Sequence, residues 1–147
     1  MASIQILVDA ALNIWEDDLI RAKLAVTQAV HESNWIKGPS LLASKYNNLF
    51  GIKGSGTGGS VNLMTTEYEK GEYIRVRQPF AVNLSLSDSF QQHKNLIMKP
   101  RYVSVRGSRT LGQAFQAVWK SGYATDPKYP QKLIDVYDTY IDKFFQE

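Results

Sequence analysis

The sequence predicts a mainly α domain, a helical bundle carrying one small β-hairpin lobe. Three observations lead there. Apolar residues recur at helical spacing along both halves of the chain. A glycine-dense segment interrupts them, with five of the ten glycines between Gly51 and Gly59. Beyond it, two strand-like runs flank a Lys70-Gly71 turn. At 147 residues, 44% hydrophobic and 21% charged, the chain suits one domain over residues 1–147, long enough to bury a core without staples.

Each element has its own signal. From Ile4 to Ile14, Ile6, Leu7, Ala10, Ala11 and Ile14 recur at helical spacing. Asp17 or Asp18 can cap a second helix whose Leu19, Ala22, Val26, Ala29 and Val30 form one stripe. Its alanines permit close packing, so it is the expected central helix, ending at His31-Glu32-Ser33. A short third helix is expected from Pro39 through Ala43. Gly51–Gly59 reads as a mobile loop. Asn62–Tyr68 and Tyr73–Arg77 read as the hairpin strands. Ser85 or Ser87 is expected to cap a helix carrying Phe90, His93, Leu96 and Ile97, and Ser108 the next, with Leu111, Phe115, Val118 and Trp119. Pro130 opens the last, whose stripe is Leu133, Tyr137, Tyr140, Ile141 and Phe144.

Composition removes several functions. Without cysteine there is no disulfide framework, no Cys-ligated metal or iron–sulfur site and no thiol nucleophile. His31-Glu32 opens like a zinc motif, but position 35 is Trp35 and the second histidine is missing. Gly54–Gly59 spells G-x-G-x-x-G, yet a strand-like run follows where a dinucleotide site needs a helix. The net charge is only +3. Between Lys70 and Arg109 eight basic residues face two acidic ones, which reads first as a solvated face and second as attraction to an anionic polymer. Met1–Ile20 lacks the basic start of a signal peptide, and no apolar run is long enough to span a membrane.

Three stretches carry chemistry. Gln28–Trp35 places Glu32 at the end of an alanine-rich helix, where the helix dipole disfavours a negative charge and Trp35 is a candidate apolar wall. Asn47–Gly54 offers paired amides, suited to sugar hydroxyl and acetamido groups and equally to turn chemistry. Gly122–Tyr129 presents two tyrosines able to stack on a sugar, and also reads as a helix cap followed by a proline stop.

In this order and spacing these stretches, with Thr66-Glu67-Tyr68-Glu69, resemble the β-N-acetylglucosaminidase domain of bacterial and phage peptidoglycan hydrolases. The resemblance runs from about Leu19 to Phe145. It implies a lysozyme-like fold whose β-lobe overhangs a substrate cleft, with Glu32 as catalytic acid, Glu67 as second carboxylate and Tyr123 as a site tyrosine. It places Asn47, Asn48, Phe50, Trp35, Tyr129 and Gln92 along the substrate groove. Family members often carry an acid near Gln92; this sequence has an amide there, with Asp88 one turn earlier and about 6 Å away along the axis.

The implied activity is cleavage of β-1,4 glycosidic bonds in cell-wall glycan strands. Such cleavage needs a proton donor and a second group that serves as base or orients the substrate's own acetamido oxygen. Muramidase or lytic transglycosylase chemistry on the same fold, and a non-catalytic wall-binding module, stand as alternatives; nucleic-acid binding has only the charge behind it. The resemblance calls for no metal and no cofactor. The expected partner is peptidoglycan, with neither nucleic acid nor membrane insertion, and the chain is expected to act as a monomer. Action at the bacterial wall without a visible leader points to a phage lysin, delivered by phage lysis or as a virion component.

Overall fold

A computed structural model describes residues 3–146. Seven α-helices and a two-stranded antiparallel sheet appear in the order α1 (Ile4–Trp15), α2 (Leu19–Ser33), α3 (Leu41–Tyr46), β1 (Ser60–Glu69), β2 (Glu72–Ala81), α4 (Leu86–Ile97), α5 (Val103–Arg106), α6 (Leu111–Lys120) and α7 (Tyr129–Val136). A 3-10 turn at Pro100–Tyr102 precedes α5, while a π turn over Tyr137–Ile141 and a 3-10 turn over Asp142–Phe145 follow α7.

The central helix is α2. Ala22, Leu24, Ala25, Val26 and Ala29 are wholly buried, and their small side chains let α1, α4, α6 and α7 pack around it. Asp18 caps its start by accepting from the Arg21 amide. The buried Arg21 guanidinium also binds Asp18 and donates to the Val105 and Ser108 carbonyls, tying α2 to the α5–α6 corner. Lys94, Arg101 and Arg106, part of the basic run, likewise donate to backbone carbonyls at helix ends and turns.

Several boundaries differ from expectation for local reasons. Ser40, not Pro39, starts α3, because its hydroxyl accepts from the Ala43 amide. Thr110 rather than Ser108 caps α6, accepting from Gln113; Ser108 instead donates to the Ser104 carbonyl and receives Arg21. In the last stripe Leu133, Tyr137 and Ile141 are buried, whereas Tyr140 is 37% exposed. The π turn there widens the repeat and rotates Tyr140 outward.

The hairpin turns at Lys70-Gly71, both at positive φ, the geometry of a two-residue connection. Its register pairs Glu67 with Ile74 and Thr65 with Val76. Burial alternates along both strands, so Glu67 shares the half-buried face with Leu63, Thr65, Ile74 and Val76. Tyr68, Tyr73, Arg75 and Arg77 lie on the other face.

The glycine segment is pinned rather than loose. Gly54 donates to the Pro79 carbonyl and Gly58 to Val82, while the Thr57 amide reaches the Asn83 side chain. A Cβ at Gly56 would run into Asn83 Oδ1 and the Val82 carbonyl. Glycine there permits close backbone approach, which composition alone presents as flexibility.

Candidate active site

Glu32 sits in the last turn of α2, where the peptide dipoles oppose its charge. As a residue it is exposed, but its side chain retains only 27% of its accessible surface. Burial raises its carboxyl to about 7, partly offset by hydrogen bonding with the Tyr129 hydroxyl. His31 Nε2 lies 3.7 Å from the carboxyl. Burial and Lys132 lower the imidazole, so it is neutral near pH 7 and the contact is not an ion pair there. The site thus holds a carboxylic acid that keeps a substantial share of its proton at neutrality.

The wall against Glu32 is built from tyrosines. Tyr129, the first residue of α7, is 3% exposed. Its ring stacks on Tyr123 at 6.1 Å and meets His31 edge-on at 5.6 Å. Burial raises both tyrosine hydroxyls, with Glu32 contributing to each, so they stay protonated as donors. Tyr123 is half-buried and is the more open of the two. Behind it comes His93, edge-on at 6.3 Å, and Phe50 stacks on His93 at 4.2 Å. Aromatic rings therefore run from the core to the acid's neighbour.

Glu67 stands in a different setting. Its carboxylate accepts from Lys53 Nζ at 2.6 Å, and both side chains are partly exposed. The pair joins the hairpin to the chain following α3.

Other residues expected in the groove have structural duties. Asn48, 1% exposed, donates to the Ile52 and Ala81 carbonyls and accepts from the Ile52 amide, anchoring the root of the hairpin. Asn47 caps α3 at positive φ and exchanges hydrogen bonds with Asn83. Phe50 and Trp35, 6% and 5% exposed, belong to the core and have little surface to offer a sugar. Tyr129 is likewise caged, its ring covered and its hydroxyl engaged, rather than standing free on a loop. Gln92, half-buried, bridges Asn83 and the Ser55 carbonyl beside a cavity of about 250 Å³ lined also by Asp88 and Asn95.

Sequence reasoning did not single out Gln28, which lies in the Gln28–Trp35 stretch, as a residue in contact with the site's tyrosine. It is fully buried and donates to the Tyr129 hydroxyl at 3.0 Å, while its carbonyl lies 2.7 Å from His93 Nε2. The available signal was its place one turn before Glu32 on an otherwise apolar face. No group of three or more histidine, aspartate or glutamate side chains among the described residues is arranged to hold a metal.

Residues 8–142 match the glucosaminidase family model, described as mannosyl-glycoprotein endo-beta-N-acetylglucosaminidase. The exo-glucosaminidase LytG of Bacillus subtilis is 33% identical over 138 residues, covering 89% of this chain and 48% of LytG. A probable N-acetylmuramidase of Lactococcus lactis is 32% identical over 147 residues, 95% of this chain and 33% of that protein. This chain thus spans half or less of the length of these curated relatives. Among solved structures, the catalytic domain of the autolysin Auto from Listeria monocytogenes superposes with a TM-score of 0.79 at 27% identity, covering 98% of this chain and 89% of that one.

Proposed function

This chain belongs to the glucosaminidase family, and from that premise we propose that it is a glycoside hydrolase cutting β-1,4 bonds in the glycan strands of peptidoglycan. One observation carries the reading: Glu32 is a carboxylic acid desolvated against tyrosines and raised to about 7, as a proton donor to a glycosidic oxygen needs. Glu67 supplies the contrast. Set at the surface beside Lys53, it acts as base toward a water or orients the substrate's 2-acetamido group. Tyr123, kept protonated by burial beside Glu32, donates a hydrogen bond at the reacting sugar.

The bond we favour lies on the reducing side of N-acetylglucosamine, as the family description and the name of LytG suggest. The name of the Lactococcus relative favours a second reading, cleavage after N-acetylmuramic acid. On either reading the enzyme acts at the bacterial cell wall, as a monomer. The test is mass analysis of fragments released from purified peptidoglycan. New N-acetylglucosamine reducing ends support the first bond, and N-acetylmuramic acid ends the second. If the wild-type protein binds walls but releases no glycan fragments, the hydrolase reading fails and a binding module replaces it; fragments ending in an anhydro sugar instead of a reducing end replace it with a lytic transglycosylase.

A further inference from the structure

A line of buried polar side chains runs through the core to the site, and the reaction as described uses only its end. His93 and Gln28 are fully buried and Tyr129 is 3% exposed. His93 Nε2 lies 2.7 Å from Gln28 Oε1, and Gln28 Nε2 donates to the Tyr129 hydroxyl oxygen at 3.0 Å. Three helices contribute, with His93 on α4, Gln28 on α2 and Tyr129 on α7. Three polar side chains bonded in series through the core from three different helices call for a reason.

The direction of the hydrogen bonds supplies one. An amide oxygen only accepts, so His93 must present its proton on Nε2. The amide NH₂ then fills one acceptor position of the Tyr129 oxygen and leaves the hydroxyl hydrogen free to point toward Glu32. Were the Gln28 amide turned round, its oxygen would claim that hydrogen. His93 would then carry its proton on Nδ1, which has no partner in the core. A buried N–H without an acceptor is rarer and costlier than an acceptor without a donor, so the first arrangement is selected.

We propose that His93 and Gln28 are positioning residues, a buried relay that holds the Tyr129 hydroxyl as a hydrogen-bond donor to the Glu32 carboxyl. Neither touches substrate; both act through Tyr129. The relay rests on the reading of Glu32 as the acid, and its consequence is a limit on how far burial lifts that acid. A donor aimed at the carboxylate favours the ionised form, so the proton is held near neutrality and still released when the leaving oxygen needs it. The groups that face Glu32 are His31 on α2, Tyr129 on α7 and Tyr123 before α7, and Asp126 and Lys132 act on His31.

Two measurements on the whole protein test this. In the unsubstituted chain, ¹⁵N spectra of His93 are expected to show the Nε2–H form from pH 5 to 8; an Nδ1–H form overturns the relay. Next, the Glu32 side-chain carbon is titrated by ¹³C NMR in Tyr129→Phe and in Gln28→Met/His93→Phe, where Phe keeps the stacking on Phe50 and both hydrogen-bonding partners go together. Tyr129→Phe is expected to raise the midpoint by about one pH unit, the size of a lost hydrogen bond to a charged group. The double variant raises it by less, and all three changes together by no more than Tyr129→Phe alone. An unmoved midpoint in the double variant, or effects that add, overturns the proposal. Because the titration needs no substrate, it stays informative if Glu32→Gln proves active, a result that would remove the hydrolase assignment of Glu32 and leave the relay to be judged by its own data.

Discussion

Gln28 and Glu32 stand one helical turn apart on α2, the first sealed in the core and the second at its edge, and Gln28 donates to the Tyr129 hydroxyl at 3.0 Å. One helix therefore carries both the proposed acid and the buried amide that, on the proposed relay, aligns its hydrogen-bond donor.

Glu32 makes stability depend on pH in an unusual direction. Its folded value, about 7, lies above the ordinary 4.5, so the folded chain holds a proton that the unfolded chain has lost between those values. Stability therefore falls as pH rises from about 4.5 to 7 and then levels off. Glu32→Gln removes this loss. It is expected to be more stable than the unsubstituted chain at pH 8 by about 1–2 kcal/mol, after discounting for solvent on the open side, with the gap closing near pH 4.5. Urea unfolding at the two pH values checks it.

His93 works in the opposite sense. Burial lowers it from 6.5 to about 3, so the unfolded chain binds a proton that the folded chain refuses. Stability from this source is complete above 6.5 and declines as pH falls toward 3. Between 4.5 and 6.5 the two slopes oppose each other, and the unsubstituted chain is expected to show a shallow profile. Glu32→Gln unmasks the histidine slope, a loss of about 1 kcal/mol per pH unit on acidification across that window. An equally shallow profile in that variant would contradict the assignment.

The Lys53–Glu67 pair is partly exposed, so its stability value is under about 1 kcal/mol. On the proposed mechanism its importance lies in where it holds the hairpin carboxylate. Lys53→Met is expected to shift the melting temperature by no more than about 3 °C while lowering the cleavage rate about tenfold through misplacement. Calorimetry and reducing-end release, measured on one preparation, separate the two effects.

Gly56 and Gly112 offer a paired test of the glycine argument. A methyl group at Gly56 meets backbone and side chain on the 82–83 segment, whereas one at Gly112 in α6 meets nothing within 4 Å. Gly56→Ala is expected to cost about 1–3 kcal/mol, and Gly112→Ala to stabilise by about 0.5–1 kcal/mol. Equal effects in denaturant unfolding would show that the segment is not pinned as described.

Much of this arrangement was legible in the sequence wherever the signal was local. Lys70-Gly71 between β-rich runs gave the hairpin and its turn, and the alanines of α2 gave the central helix. The place of Glu32 at the C-terminal end of the central helix was legible too, and a carboxylate there works against the dipole. What stayed hidden depended on distant partners. Gln28 and His93 meet across 65 positions, and neither residue type announces burial. Trp35 looked like the wall for Glu32 and went into the core, while that role fell to Tyr129, placed by the start of α7. Asn48 looked like a sugar ligand, but its amide is used up by Ile52 and Ala81. Gly51–Gly59 looked mobile because composition cannot distinguish a glycine needed for freedom from one needed for contact.

On the proposed mechanism the carboxyl at position 32 holds its proton close to neutrality and delivers it to the glycosidic oxygen. The most direct measurement is the rate of glycan cleavage against pH, taken alongside a ¹³C titration of the Glu32 carboxyl in the same protein. The expected result is a carboxyl midpoint of about 7, a rate that falls as pH rises through that midpoint, and no such rate in Glu32→Gln. A midpoint at the ordinary carboxylate value, or an alkaline fall in rate unrelated to it, would contradict the claim.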